Sequence, residues 1–221
     1  MLTPGVLPPF PLSWGFSTRT DPDASLPPER LHQVHGCDLV QAQERIQDAD
    51  GIWTWTPGET IAVQTADCVP VLLAGPVHGR PWAAALHAGW RGSVGGILRR
   101  AVALYAQLGG HPGDLVWALG PAILKCHFEV GEEVVAAARR DPAWHEGLVQ
   151  PGPRGRPHLD LHGLLRAQAL DLGLTPDRDG SLPLCTYCHP ELLHSYRRDG
   201  PGRQWAWVRI HQASGPGSAQ A

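Results

Sequence analysis

The chain has one methionine, at position 1, one lysine, at position 125, and no His-x-His pair among its twelve histidines. Two of these absences bear on copper. A blue-copper centre adds a weak axial ligand, commonly methionine, to two imidazoles and a thiolate, and Met1 is the sole candidate here. Multi-copper oxidases gather their metals on many histidines arranged as His-x-His pairs, which this sequence lacks. Cysteines are few and odd in number: Cys37, Cys68, Cys126, Cys185 and Cys188. Five cysteines without an export signal argue against a disulfide framework and leave metal binding, catalysis or plain burial for each. No apolar run reaches the length needed to span a bilayer. The opening stretch MLTPGVLPPFPLSWGF has no basic n-region and is broken by prolines, so no signal peptide is expected and a cytoplasmic location is. A formal charge of -3 gives no electrostatic case for nucleic acid or an anionic membrane.

What is present describes a soluble globular protein, with 43% hydrophobic and 18% charged residues. The length suits one domain over 1–221, with a core of about 12–211 and a flexible tail over 212–221. Short apolar runs bounded by Gly or Pro predict strands at Leu12–Ser17, Thr60–Ala66, Val69–Ala74, Pro81–Ala88, Asp114–Leu119 and Trp205–Ile210. Apolar residues at helical spacing predict a helix over Ser93–Leu108, N-capped by Ser93 and stopped at Gly109-Gly110. Two more helices are predicted over Glu129–Arg140 and Asp160–Leu172, the latter starting on a capping Asp, and Gln150–His158 reads as a loop. Strands and helices mix without the regular alternation of a doubly wound sheet. The fold class is therefore α+β, or a layered α/β sandwich.

Three short segments set His or Cys beside turn residues: HQVHG (His32–Gly36), TADC (Thr65–Cys68) and LHAGWRG (Leu86–Gly92). Each alone has an ordinary explanation. Free cysteine is among the most buried residue types, and a lone histidine is commonly hydrogen-bonded packing. Context adds weight, because His35 and His87 are each followed within two residues by Gly, which permits sharp turns and close ligand approach. Arg91 sits between glycines where a strand turns into a helix, a place suited to a phosphate or carboxylate.

QVHG, ADGIWT, TADCVPVLL, ALHAGWRG, LGPAILKCHFEVGEEV, LDL and SYRRDG…GRQWAW, in this order, resemble the family of bacterial YfiH and YlmD. It is also called the multicopper polyphenol oxidase, laccase-domain or peptidoglycan editing factor family. The resemblance runs from about Gly15 to Ile210. It implies a layered α/β sandwich of the cysteine-hydrolase-like type and a metal held by His35, Cys68 and His87. It further implies purine nucleoside phosphorylase activity on adenosine, inosine and S-methyl-5′-thioadenosine, with adenosine deaminase activity at the same site. The expected partners are then a purine nucleoside and phosphate, and the expected oligomeric state is monomer or homodimer. Arg91 and Arg197 fall on family-pattern positions suited to anion or substrate binding, and Arg19 is a third candidate. One departure lies after FSTR (Phe16–Arg19), where the family has a longer segment with Ser-Leu-Asn and this chain has only TDPDASLPPERL.

Two imidazoles and a thiolate leave a fourth metal position open, the catalytic rather than structural zinc arrangement, with Cu2+ as the alternative ion. Asp67, next to Cys68, could orient a ligand or carry a proton, and reads equally well as a turn-forming Asp. Two other classes remain open. In a metal-free cysteine hydrolase acting on a peptidoglycan precursor, Cys68 attacks, His87 is the base, and Asp67 or a backbone donor completes the site. A binding module would hold a purine or metal without turnover. CTYCH (Cys185–His189) matches the haem-attachment pattern, but attachment requires export and an axial Met. A zinc site on Cys185 and Cys188 lacks a second Cys-x-x-Cys. Cys37 and Cys126 read as structural, Cys185 as part of a turn, and His32 as facing away from the site if its segment is extended.

Overall fold

The computed structural model describes residues 1–21, 31–42 and 47–212. The SGPGSAQA tail and most of the shortened segment before QVHG therefore lie outside the described residues. Twelve strands are described: β1 (Leu12–Phe16), β2 (Leu31–His32), β3 (Leu39–Gln41), β4 (Gln47–Asp48), β5 (Gly51–Thr54), β6 (Thr60–Thr65), β7 (Val69–Val77), β8 (Arg80–Ala88), β9 (Val116–Leu119), β10 (Val149–Pro151), β11 (Pro157–Leu159) and β12 (Gln204–Ile210). Five helices accompany them: α1 (Trp90–Val94), α2 (Ile97–Gln107), α3 (Glu132–Ala138), α4 (Leu161–Asp171) and α5 (Tyr196–Asp199).

The elements stack as a layered sandwich, as the sequence led one to expect. A five-stranded sheet, ordered β3-β5-β8-β7-β9, lies between a three-stranded sheet, β1-β12-β6, and a helical layer. Period-two alternation along β7 shows why its run is apolar throughout. Leu72 and Ala74 pack with Phe16, Ile61, Val63 and Val208 of the small sheet, while Val71 and Leu73 pack with Ile97, Leu98 and Ala101 of α2. A strand covered on both faces has no position for a polar side chain. At about 25 cal/mol per Å² of apolar surface removed from water, these two faces supply most of the drive to fold.

Several local expectations change. The helix predicted from Ser93 begins at Trp90 instead, and Gly95-Gly96 splits it into α1 and α2, with Gly96 at φ 86°. Ser93 is thus inside α1, where its hydroxyl donates to the Gly89 carbonyl at 2.9 Å, rather than an N-cap. Asp160 does cap α4, accepting from the Gly163 N–H at 2.7 Å. The helix predicted over Glu129–Arg140 shrinks to α3. Residues 150–158, read as loop, lie within the hairpin β10-β11, which runs from Val149 to Leu159.

Candidate metal and active site

The sheet's register builds the site. β7 and β8 are antiparallel, with Val69 opposite Ala88 and Pro70 opposite His87. Cys68, just before β7, therefore meets His87, near the end of β8, at one sheet end. β5 flanks β8 with Gly51 opposite Leu86, which sets Asp50 beside His87, and the His87 N–H donates to the Asp50 carbonyl at 2.7 Å.

Asp50 then ties the remaining loop to this corner. Its buried carboxylate accepts from the backbone N–H groups of Val34 (3.2 Å), His35 (3.0 Å) and Gly36 (2.6 Å) and bonds His87 Nδ1 at 2.7 Å. Held this way, the turn places His35 at φ 59°, and its ring lies 4.8 Å from that of His87. The reciprocal pair Gln33–Gln64, at 2.8 Å in both directions, fastens the same loop to β6. The donor atoms of His35, Cys68 and His87 all fall within 4.8 Å of one another.

The electrostatics are those of a charged pair on a supporting carboxylate. Burial opposes ionisation of Asp50, but the His87 bond and the three backbone N–H groups outweigh it, so its pKa lies below the ordinary value. Burial likewise disfavours a charged His87, yet Asp50 and Cys68 on either side raise it to about 9. Cys68 is lowered to about 7: burial pushes the thiol up, and the two imidazoles more than offset that.

The cluster forms the floor of a pocket of about 560 Å³, lined also by His32, Gln64, Asp67, Tyr196, Arg197 and Arg203. That volume suits a small-molecule ligand, for which pockets of ~300–1,000 Å³ are usual. His32 lines it after all, with an exposed side chain that pairs with Asp48 at 2.7 Å. Asp67 lies on the wall at φ 85°, both oxygens engaged, one by the Thr186 hydroxyl (2.6 Å) and one by the Arg197 N–H (2.7 Å). Arg197 reaches the pocket while donating to the Glu129 carbonyl at 3.2 Å. Arg91 and Arg19 do not line this pocket. Arg91 is exposed and stacks on Trp90 at 4.4 Å, and Arg19 pairs with Asp199 at 3.0 Å.

The sequence profile of the family described as multi-copper polyphenol oxidoreductase laccase matches residues 19–211. The chain belongs to this family. Among relatives of the laccase-like family, a purine nucleoside phosphorylase of Deinococcus radiodurans is 41% identical over 197 residues, covering 87% of this chain and 74% of that protein. One from Pseudomonas aeruginosa is 38% identical over 175 residues, covering 77% and 69%. The crystal structure of YlmD from Geobacillus stearothermophilus superposes with a TM-score of 0.80 at 27% identity, covering 93% of this chain and 94% of that one. YfiH from Bacillus licheniformis has the same fold, with a TM-score of 0.81 at 22% identity over 90% and 92%. The YfiH/YlmD architecture suggested by the motifs is the one observed.

The donor set fits a single metal ion. Nδ1 of His87 is engaged by Asp50, which leaves Nε2 as the ring nitrogen available toward Cys68, the usual orienting arrangement of a metal-ligating histidine. It does not fit a multi-copper centre: among the described residues the metal-capable groups are this trio and one cluster of four, neither built on His-x-His pairs. Sequence reasoning missed two residues here. Asp50 was legible only as part of ADGIWT, since a carboxylate preceding a strand looks like a turn residue. Arg203, within GRQWAW, carried no signal beyond its charge.

Proposed function

We propose that the protein is a metal-dependent purine nucleoside phosphorylase acting on adenosine, inosine and S-methyl-5′-thioadenosine, with adenosine deaminase activity at the same site. The observation that carries this reading is the convergence of His35, Cys68 and His87 on the floor of a pocket walled by Arg197 and Arg203, in a chain related to proteins named purine nucleoside phosphorylases. Zinc is the ion that best matches two imidazoles and a thiolate with one open position, and when bound it supplies Lewis acidity to a polar atom placed there.

The chain's own residues divide the remaining work. Arg203 and Arg197 set two guanidinium groups at the wall, where a phosphate dianion would be held for attack on ribose C1′. Tyr196, 60% exposed and stacked beneath the Arg203 guanidinium at 5.5 Å, presents an aromatic edge to a purine entering the pocket. Asp67, holding both Thr186 and the Arg197 backbone, positions the arginine wall rather than carrying a proton. Asp50 keeps His87 and the His35 turn in place.

The test is hypoxanthine release from inosine by the zinc-loaded protein, with and without inorganic phosphate. Phosphate-dependent release, abolished in Cys68→Ala and weakened through a higher phosphate KM in Arg203→Ala, supports the reading. Absence of release under both conditions rejects it.

One observation favours a second reading. Cys68, His87 and Asp50 also line up as thiol, imidazole and orienting carboxylate, with the thiol already lowered to about 7. A metal-free cysteine hydrolase acting on an amide of a cell-wall precursor would use that triad, with Asp50 and not Asp67 as its third member. It predicts hydrolysis that survives chelation and is lost on alkylation of Cys68. The phosphorylase predicts loss under both treatments.

A further inference from the structure

The fold assembles a second metal-capable cluster, away from the pocket floor, from residues that sequence reasoning kept apart. Cys126 and His127 follow β9, and Cys185 and Cys188 precede α5, yet one donor atom from each lies within 4.8 Å of all the others. The missing second pair for Cys185 and Cys188 is therefore a Cys-His dipeptide about sixty positions upstream. We propose that Cys126, His127, Cys185 and Cys188 bind a structural zinc ion.

The distances carry the argument. Tetrahedral zinc with Zn–S of about 2.3 Å and Zn–N of about 2.0 Å sets its sulfurs about 3.8 Å apart and its sulfur–nitrogen pairs about 3.5 Å apart. Here Cys126 Sγ and Cys188 Sγ are 3.8 Å apart, and His127 Nδ1 lies 3.3 Å from Cys126 Sγ, 3.3 Å from Cys188 Sγ and 4.0 Å from Cys185 Sγ. A disulfide between Cys126 and Cys188 would need about 2.05 Å. Four donors with three thiolates leave no open position, which marks the site as structural.

The surroundings support a bound cation. The His127 ring is stacked on Tyr187 at 4.3 Å and 17°, which holds Nδ1 toward the three sulfurs. Three thiolates around Zn2+ leave one net negative charge, and Arg198 lies alongside, donating to the Thr186 and Tyr187 carbonyls at 2.7 and 2.8 Å. On binding, the three thiols release their protons to solvent and no redox step is involved.

The site would clamp two segments that already pair through backbone bonds, Ala122 N–H to the Leu184 carbonyl (3.1 Å) and Thr186 N–H to the Ala122 carbonyl (2.9 Å). The second segment runs on to Tyr196 and Arg197 in the pocket wall. The clamp does not depend on which reaction the pocket performs.

Full-length protein purified under reducing conditions and reloaded with Zn2+ alone tests it by metal analysis. Two equivalents per chain are expected in the unaltered protein, one in Cys68→Ala, and one in Cys126→Ser combined with Cys188→Ser. A zinc content that the double substitution leaves unchanged, whether one equivalent or two, overturns the proposal. Should that variant fail to fold, iodoacetamide labelling of the unaltered protein decides. The exposed Cys126 and Cys188 should resist labelling when zinc is bound and react after chelation; prompt labelling of both in the zinc-loaded protein, or a Cys126–Cys188 disulfide found by mass, overturns it.

Discussion

Gly89 follows Ala88 at the end of β8, and a Cβ added there would lie 3.0 Å from His35 Nδ1 and 3.1 Å from Cys68 Sγ. Gly89→Ala should therefore push the ligands apart and weaken zinc affinity about 10-fold or more, the scale seen when support around a metal site is disturbed. Competition against a chelator of known affinity measures it, and unchanged affinity would show that the trio is not the metal site. Asp50→Asn removes the charge that holds His87 and the His35 turn, and the same assay should show a loss of about 10- to 100-fold. Titration gives a third expectation. In metal-free protein Cys68 should alkylate with a midpoint near pH 7, where it is lowered, and not near the ordinary 9.0. The sign for stability follows. A lowered thiol contributes stability present above its unfolded pKa and lost as pH falls through about 7; the raised His87 contributes stability present below 6.5 and lost as pH rises through about 9. The thiolate–imidazolium pair is thus confined to roughly pH 7–9. A cysteine beside a strand and a histidine ending another were visible in the sequence. The carboxylate joining them was not, because nothing local distinguishes Asp50 from a turn residue.

At the scale of elements, the break between α1 and α2 is a Gly-Gly step with Gly96 at φ 86°. A Cβ there would make only ordinary contacts, with Arg99 side-chain carbons at 3.7 and 3.8 Å, so the cost of a side chain is conformational. Gly96→Ala should destabilise by about 1–2 kcal/mol, read from the urea midpoint, while zinc affinity at the trio stays unchanged. The sequence periodicity ran through this break because Val94, Ile97, Leu98 and Ala101 keep helical spacing on both sides of it. Apolar periodicity reports which face is buried, and it does not report whether the backbone between two buried residues is helical. The hairpin β10-β11 was obscured for a similar reason: proline and glycine mark a turn but do not say whether its flanks pair.

At the scale of the whole molecule, the packed layers bring segments 35, 50, 68 and 87 together in one cluster and segments 126 and 185 in a second. Leu72, fully buried between the sheets, should therefore matter to stability and not directly to metal chemistry. Leu72→Ala is expected to cost about 3 kcal/mol in urea denaturation and to leave zinc affinity at the trio unaltered below the transition. Three strands of the central sheet, β7, β8 and β9, and the sandwich class were legible in the sequence, because strand-length apolar runs are local patterns; His35, Cys68 and His87 stood out there beside turn residues, and the family resemblance is what implied a metal on them. Only the tertiary structure decided the rest. Asp50 acquires its role from the β5–β8 register, Arg203 enters the pocket through the strand that follows it, and Cys126-His127 meets Cys185 and Cys188 because Ala122 pairs beside Cys185. Each of these is a contact between residues far apart in the chain, and such contacts are set by how the layers close on one another, not by any pattern within reach of the residues themselves.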